Sequence, residues 1–153
     1  MIRDLKETPQ HIPTLAAWHH AAWSHLNPGG SLERRIEKMQ DYLGDEPLPT
    51  MYVWVDGDDV LGSAALVACD MDTRPELAPW LANVYVSEAR RRLGIGAALV
   101  RQVTAKAREL GFRELFLFTP DKAHFYAALG WQTLAEELYR GERVTVMRID
   151  LGD

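Results

Sequence analysis

The sequence predicts an α/β fold of the layered α+β kind: a mixed, mostly antiparallel sheet of six to seven strands with helices on both faces. Three observations carry this. Strand-like and helix-like segments follow one another in the order β-α-α-β-β-β-α-β-α-β-β, which suits a sheet layered with helices. Two turn signals, Asp56-Gly57-Asp58-Asp59 and Arg140-Gly141-Glu142, each separate neighbouring strand-like runs and read as hairpins. The third is size and composition. A chain of 153 residues, 47% hydrophobic and 25% charged, has the character of one soluble globular domain spanning 1–153, with a core that needs neither disulfide nor metal.

The elements follow in order. Met1 to Leu5 suits a short edge strand. After Thr8-Pro9, apolar residues at Ile12, Leu15, Ala16, Trp18, Ala22, Trp23 and Leu26 keep a helical period, which Asn27-Pro28-Gly29-Gly30 stops. Ser31 is the N-cap of a second, more polar helix running through Tyr42 to about Gly44. Its stripe of Leu32, Ile36, Met39 and Leu43 is narrow. Met51–Val55 and Val60–Cys69 are strands on either side of the Asp-Gly turn. Asp70 to Pro79, with two prolines and several acids, reads as a surface loop, and Trp80 to Val86 as the next strand. Ile95, Leu99, Val103, Ala107 and Leu110 then form one face of a helix that Gly111 ends. Arg113 to Phe118 alternates as a strand, and Thr119-Pro120-Asp121 opens a short helix closed by Gly130. Trp131 to Tyr139 and Arg143 to Leu151 complete the sheet.

Charge and composition exclude several function classes. A net charge of −5 gives the molecule no overall attraction to nucleic acid. The longest apolar run, Val60 to Cys69, falls far short of the roughly 20 residues that span a bilayer. No apolar signal segment follows Met1-Ile2-Arg3-Asp4. The expectation is a cytoplasmic protein, monomer or homodimer, without nucleic-acid or membrane partners. The one cysteine, Cys69, fits a reducing compartment; inside an apolar run it is expected to be a small buried hydrophobe rather than a nucleophile.

Against this acidic background stands a basic cluster, Arg90-Arg91-Arg92, followed by Leu93-Gly94-Ile95-Gly96-Ala97 at the start of a helix. The first turn of a helix leaves backbone N–H groups unpaired, and the helix dipole adds roughly half a positive charge there. Glycine removes the Cβ that would keep a phosphate from that backbone. Residues 91–97 are therefore expected to hold a pyrophosphate. Taken alone, the spacing fits equally a tight turn with solvated arginines. It lacks the third glycine of a dinucleotide fingerprint and the Gly-Lys-Ser/Thr ending of a P-loop.

Arg91-x-x-Gly94-x-Gly96 after an apolar strand, with Phe125-Tyr126-Ala127-Ala128-Leu129-Gly130-Trp131 about 30 residues on, resembles the GNAT superfamily of acyl-CoA-dependent N-acetyltransferases. The resemblance runs from roughly Asp70 to Gly152 in motif and order. It implies a V-shaped split in the sheet after strand 80–86 and acetyl-CoA as cosubstrate. The pantetheine arm would pair with backbone at Val84 and Val86. The pyrophosphate would rest on Arg91, Arg92, Leu93, Gly94, Ile95, Gly96 and Ala97, with Thr119 and Phe125 also beside the cofactor and Phe125 part of the core. Tyr126 would protonate the departing CoA thiolate, as suits a hydroxyl able to donate while a tetrahedral intermediate collapses.

The acceptor would be a primary amine on a small molecule or a peptide, and it must be neutral to attack. Strand 80–86 offers no acid for this, so Asp70, Asp72, Glu76 or a chain of waters are the alternatives, with Asn83 a candidate for holding a water or the substrate. The resemblance puts the first two helices over the acceptor cleft, which makes His20 and Trp23 candidate lining residues. No metal is expected, because His19, His20 and His25 are not spaced to share one ligand face. The acidic loop 70–76 favours a cationic acceptor by steering. Two other classes stay open: a non-catalytic acyl-CoA sensor or interaction domain of the same fold, and a nucleotide binder unrelated to CoA.

Overall fold

The computed structural model describes residues 1–90 and 93–152. Two glycine turns and alternating apolar residues build the sheet. β1 (Ile2–Asp4), β2 (Thr50–Asp56), β3 (Asp59–Val67), β4 (Trp80–Val86), β5 (Glu114–Thr119), β6 (Gln132–Tyr139) and β7 (Glu142–Asp150) lie in the order β1-β2-β3-β4-β5-β7-β6. Every pairing is antiparallel except β4 with β5. The β6–β7 turn has both central residues left-handed, Arg140 at φ 50° and Gly141 at φ 84°, the conformation that matches the twist of the flanking strands.

The period of two along β2 divides the core. Met51, Val53 and Val55 face α1 (Ile12–Trp23) and α2 (Leu32–Met39), meeting Ile12, Leu15 and Met39. Tyr52 faces the opposite side, where α3 (Ile95–Glu109) lays Leu99, Val103 and Ala107 over Leu66, Leu81, Leu115 and Met147. Ser31 accepts the Arg34 N–H at 3.1 Å, capping α2 as its sequence requires. The first helix is shorter than its apolar pattern: it ends at Trp23, and Leu26 belongs to a separate 3-10 turn, Ser24–Leu26. The fourth helix, α4 (Ala123–Ala128), is short.

The sheet opens between β4 and β5, joined by the single register pair Trp80↔Phe116. The cause lies in β4. Its register with β3 runs from Tyr85↔Ser63 to Ala82↔Ala65, so β4 carries one extra residue, and Asn83 takes a left-handed φ of 55°. A bulge of this kind bends its strand and increases the local twist, and asparagine tolerates the left-handed region better than most residues.

Segment 70–79 is a largely exposed surface loop, as expected, but it is anchored, because Met71 is fully buried with Trp80, Phe116, Tyr139, Val144 and Val146 in a third core cluster. One expectation needs correcting here. Cys69 is exposed, because β3 ends at Val67 and the chain has left the sheet before reaching it. Among the described residues, no helix is long and apolar enough to cross a membrane.

Candidate active site

Where the sheet opens lies a cleft of about 1150 Å³, lined from β4, β5, the N-terminus of α3, α4 and, on the other side, α1 and α2. Gly94 is the N-cap of α3 at φ 81°, with no side-chain cap and no acid in the first turn. The first intrahelical bond runs from Ala98 N–H to the Gly94 carbonyl at 3.0 Å, so the amides of Ile95, Gly96 and Ala97 precede the helical ladder. Gly94, Ile95, Gly96 and Ala97 all line the cleft. A Cβ at Gly94 would meet nothing within 4 Å, and one at Gly96 would touch Val86 at 3.4 Å and Phe125 at 3.5 Å. The backbone here is open to a ligand. Leu93 is 65% exposed and does not line the cleft, and Arg91 and Arg92, the other two expected phosphate contacts, lie outside the described residues.

Val84 and Val86 line the same wall and pack their side chains against the α3 core. Thr119 is buried at the end of β5, where its hydroxyl accepts the Lys122 N–H at 2.9 Å in the turn that precedes α4. Phe125 is not core as expected: it is 36% exposed, turned to the cleft with its ring edge-on to Tyr126 at 5.0 Å. A short helix with one buried face has room for Tyr126 there, so its predecessor is displaced outward. Tyr126 is buried against Trp131, and burial with the nearby Asp121 carboxylate pushes its phenol above the ordinary tyrosine range. It stays neutral and able to donate.

The other side of the cleft is a hydrogen-bonded chain that the sequence reading missed. Ser63 donates to the Asn83 carbonyl at 2.7 Å, and His19 Nε2 lies 3.0 Å from the Ser63 oxygen. Since that hydroxyl proton is already committed, His19 must be the donor, which leaves Nδ1 to accept from Arg35 Nη2 at 2.9 Å. Burial, reinforced by the Arg35 charge, holds His19 well below the usual histidine range and therefore neutral. The Asn83 amide donates to the Tyr42 hydroxyl at 2.7 Å. A local signal for Arg35 existed. With Leu32, Ile36 and Met39 it occupies positions i, i+3, i+4 and i+7, so its stem lies on the buried stripe of α2. His20, Trp23 and Asn83, the expected acceptor residues, do line the cleft.

Charge is distributed differently from the expectation. Asp72 pairs with Arg140 at 3.0 Å, and Glu76 with Arg74 at 3.2 Å, so these loop acids are matched locally and no longer argue for a cationic acceptor. Asp70 lines the cleft. Burial pushes its carboxyl up to about 6, against the pull of Arg35, Lys38 and Arg140. That value suits a group that takes a proton near neutrality. Cys69 also reaches the cleft, its thiol turned to the Met71 carbonyl at 3.4 Å. Among the described residues, no three His, Cys, Asp or Glu side chains gather as a metal site. The arrangement joins uncapped helix amides, a neutral buried phenol, and a carboxylate poised to titrate.

Residues 12–131 match the model of the acetyltransferase (GNAT) family. Similar solved structures include an aminoglycoside 6'-acetyltransferase type Ii, at 16% identity and TM-score 0.76, covering 100% of this chain and 98% of that one. A ribosomal-protein-alanine N-acetyltransferase from Brucella melitensis shares 20% identity at TM-score 0.73, with 98% and 99% of the two chains covered. YncA, a putative acetyltransferase from Salmonella typhimurium solved with its cofactor acetyl-CoA, shares 17% identity at TM-score 0.72, with 100% and 94% covered. At these identities the likeness is one of fold.

Proposed function

Because this chain belongs to the GNAT acetyltransferase family, we propose that it moves an acetyl group from acetyl-CoA to a primary amine by direct attack, the whole chain serving as one acetyltransferase domain. The observation that carries this reading is that the uncapped first turn of α3 and the buried Tyr126 line one cleft where β4 and β5 part.

These residues fit the cosubstrate. The amides of Ile95, Gly96 and Ala97 would receive the pyrophosphate, with Gly94 and Gly96 leaving the approach clear. The gap beside Val84 and Val86 would take the pantetheine arm, bordered by Phe125 and Thr119. Asp70 takes a proton from the acceptor ammonium. The neutral amine then attacks the thioester carbonyl, forming the C–N bond as the carbonyl electrons move to oxygen. When the carbonyl reforms, the C–S bond breaks and its electron pair leaves with sulfur. The Tyr126 hydroxyl donates to that sulfur and CoA departs as the thiol, while the new amide nitrogen gives up its second proton, which returns through water to the phenolate. One proton is released per turnover, through Asp70. Asn83, His20 and Trp23 shape the acceptor end.

Thermal shift and a thiol-release assay test this reading together. Acetyl-CoA at 100 times its Kd should stabilise the fold by about 2.7 kcal/mol, ATP and NAD far less, and CoA release should depend on added amine. Tight acetyl-CoA binding without amine-dependent release would instead identify a non-catalytic sensor. Equal stabilisation by ATP would overturn the CoA assignment.

A further inference from the structure

The acceptor end of the cleft carries more positive charge than its own carboxylates match. Arg35, Lys38 and Arg140 act electrostatically on one cleft carboxylate, Asp70. Arg140 is already paired with Asp72. Neither Arg35 nor Lys38 has a carboxylate within ion-pair distance among the described residues. Arg35 is also held in place. Its Nη2 donates to His19, while its Nε is buried with no hydrogen-bond partner. Asp70 alone cannot neutralise both Arg35 and Lys38, so a ligand carboxylate beside them would meet surplus positive charge and could accept charge-assisted hydrogen bonds.

Resting on the acetyltransferase reading, we propose that the acceptor amine carries a carboxylate, bound by Arg35 and Lys38 while the amine faces Asp70. The polarity is the reverse of what the acidic loop suggested in the sequence. The carboxylate can come from two sources: the α-carboxylate of a free amino acid, or an acidic side chain beside an amine whose own carboxyl is blocked.

Two matched pairs separate them in the thiol-release assay: alanine against alaninamide, and aspartic acid α-amide against asparagine amide. The carboxylate-bearing member of at least one pair should show a kcat/KM at least tenfold higher, the first pair for a free amino acid and the second for a side-chain acid. Lys38→Gln, at an exposed position, should cut that preference at least fivefold, and Arg35→Lys should cut it less than Arg35→Gln. Binding of the N-acetylated forms of the same four compounds, measured by calorimetry with CoA present, provides a readout that needs no turnover. Turnover without preference in either pair overturns the carboxylate site and leaves the transferase reading standing. Carboxylate-selective binding without any turnover upholds the site and overturns the transferase. Neither turnover nor selective binding overturns both.

Discussion

His19 Nε2 lies 3.0 Å from the Ser63 hydroxyl, and this contact ties α1 to β3 directly beneath the bulge at Asn83. Ser63→Ala would leave the His19 N–H without its buried partner and the Asn83 carbonyl without its donor. Stranding buried polar groups costs about 1–3 kcal/mol. The expected loss of about 2 kcal/mol should appear in urea unfolding as a lower midpoint at unchanged slope. A loss below about 0.5 kcal/mol would show that the bulge is maintained without this link.

Two groups, the partly buried Asp70 and the buried His19, make stability depend on pH in opposite senses. Asp70 has a raised folded value of about 6 against 3.8, so the folded state binds the extra proton and stability is lost as pH rises through about 6. Asp70→Asn should therefore gain up to about 3 kcal/mol at pH 8 and nothing at pH 3.5. His19 is lowered from 6.5, so the unfolded chain takes the proton first and stability is lost as pH falls below 6.5. In the Asp70→Asn background, unfolding midpoints should fall steadily from pH 7 to pH 5. A flat profile there would mean that His19 is protonated in the fold.

Asp70→Asn also tests the proton acceptor. In the unmodified protein kcat/KM should rise with pH through about 6, the value that burial sets for this carboxyl. The variant should lose at least tenfold in rate at pH 7 and lose that rising limb. An unchanged pH profile would assign deprotonation to water instead.

Gly96 separates fold from binding. An added Cβ makes only ordinary contacts with Val86 and Phe125 at 3.4 and 3.5 Å, so Gly96→Ala should keep the fold and leave the melting temperature unchanged. Gly96→Asp places a carboxylate in the first turn of α3, where the dipole favours it, yet where the proposed pyrophosphate would lie. Its melting temperature should hold while acetyl-CoA affinity falls more than tenfold by calorimetry. If acetyl-CoA binds the Asp variant normally, the phosphates lie elsewhere.

Tyr126→Phe removes a hydroxyl with no hydrogen-bond partner among the described residues and keeps the ring packed on Trp131. Stability and acetyl-CoA affinity should stay within error while kcat drops at least tenfold. An undiminished kcat would remove Tyr126 from the donor role.

What could be read along the chain was local. The turns at Gly57 and Arg140-Gly141, the Ser31 cap, and the strand-turn-helix at Gly94 depend on neighbours a few residues away, and they folded as their residues require. What escaped depends on distant partners. Met71 lies in a stretch that reads as a surface loop, between Asp70 and Asp72, yet Trp80, Val144 and Val146 enclose it. His19 and His20 are equivalent in composition, and only Ser63, 44 residues away, makes the first a buried neutral link. Asp72 and Glu76 suggested an acidic mouth because their arginine partners, Arg140 and Arg74, could not be assigned from spacing.

The single rung between β4 and β5 has a mechanical consequence. Strands β1 to β4 and strands β5 to β7 are two half-sheets, sharing one backbone pairing at Trp80 and Phe116. Elsewhere their relative position depends on side chains. Arg140 is the clearest brace, reaching from the β6–β7 turn to the Leu26 carbonyl at 2.6 Å and to Asp72 at 3.0 Å. A cosubstrate lying in the gap would supply the missing rungs and couple the halves. Amide hydrogen exchange in β4 and β5 should then slow on both sides of the cleft when acetyl-CoA is added, so that the ligand becomes, in effect, an eighth strand.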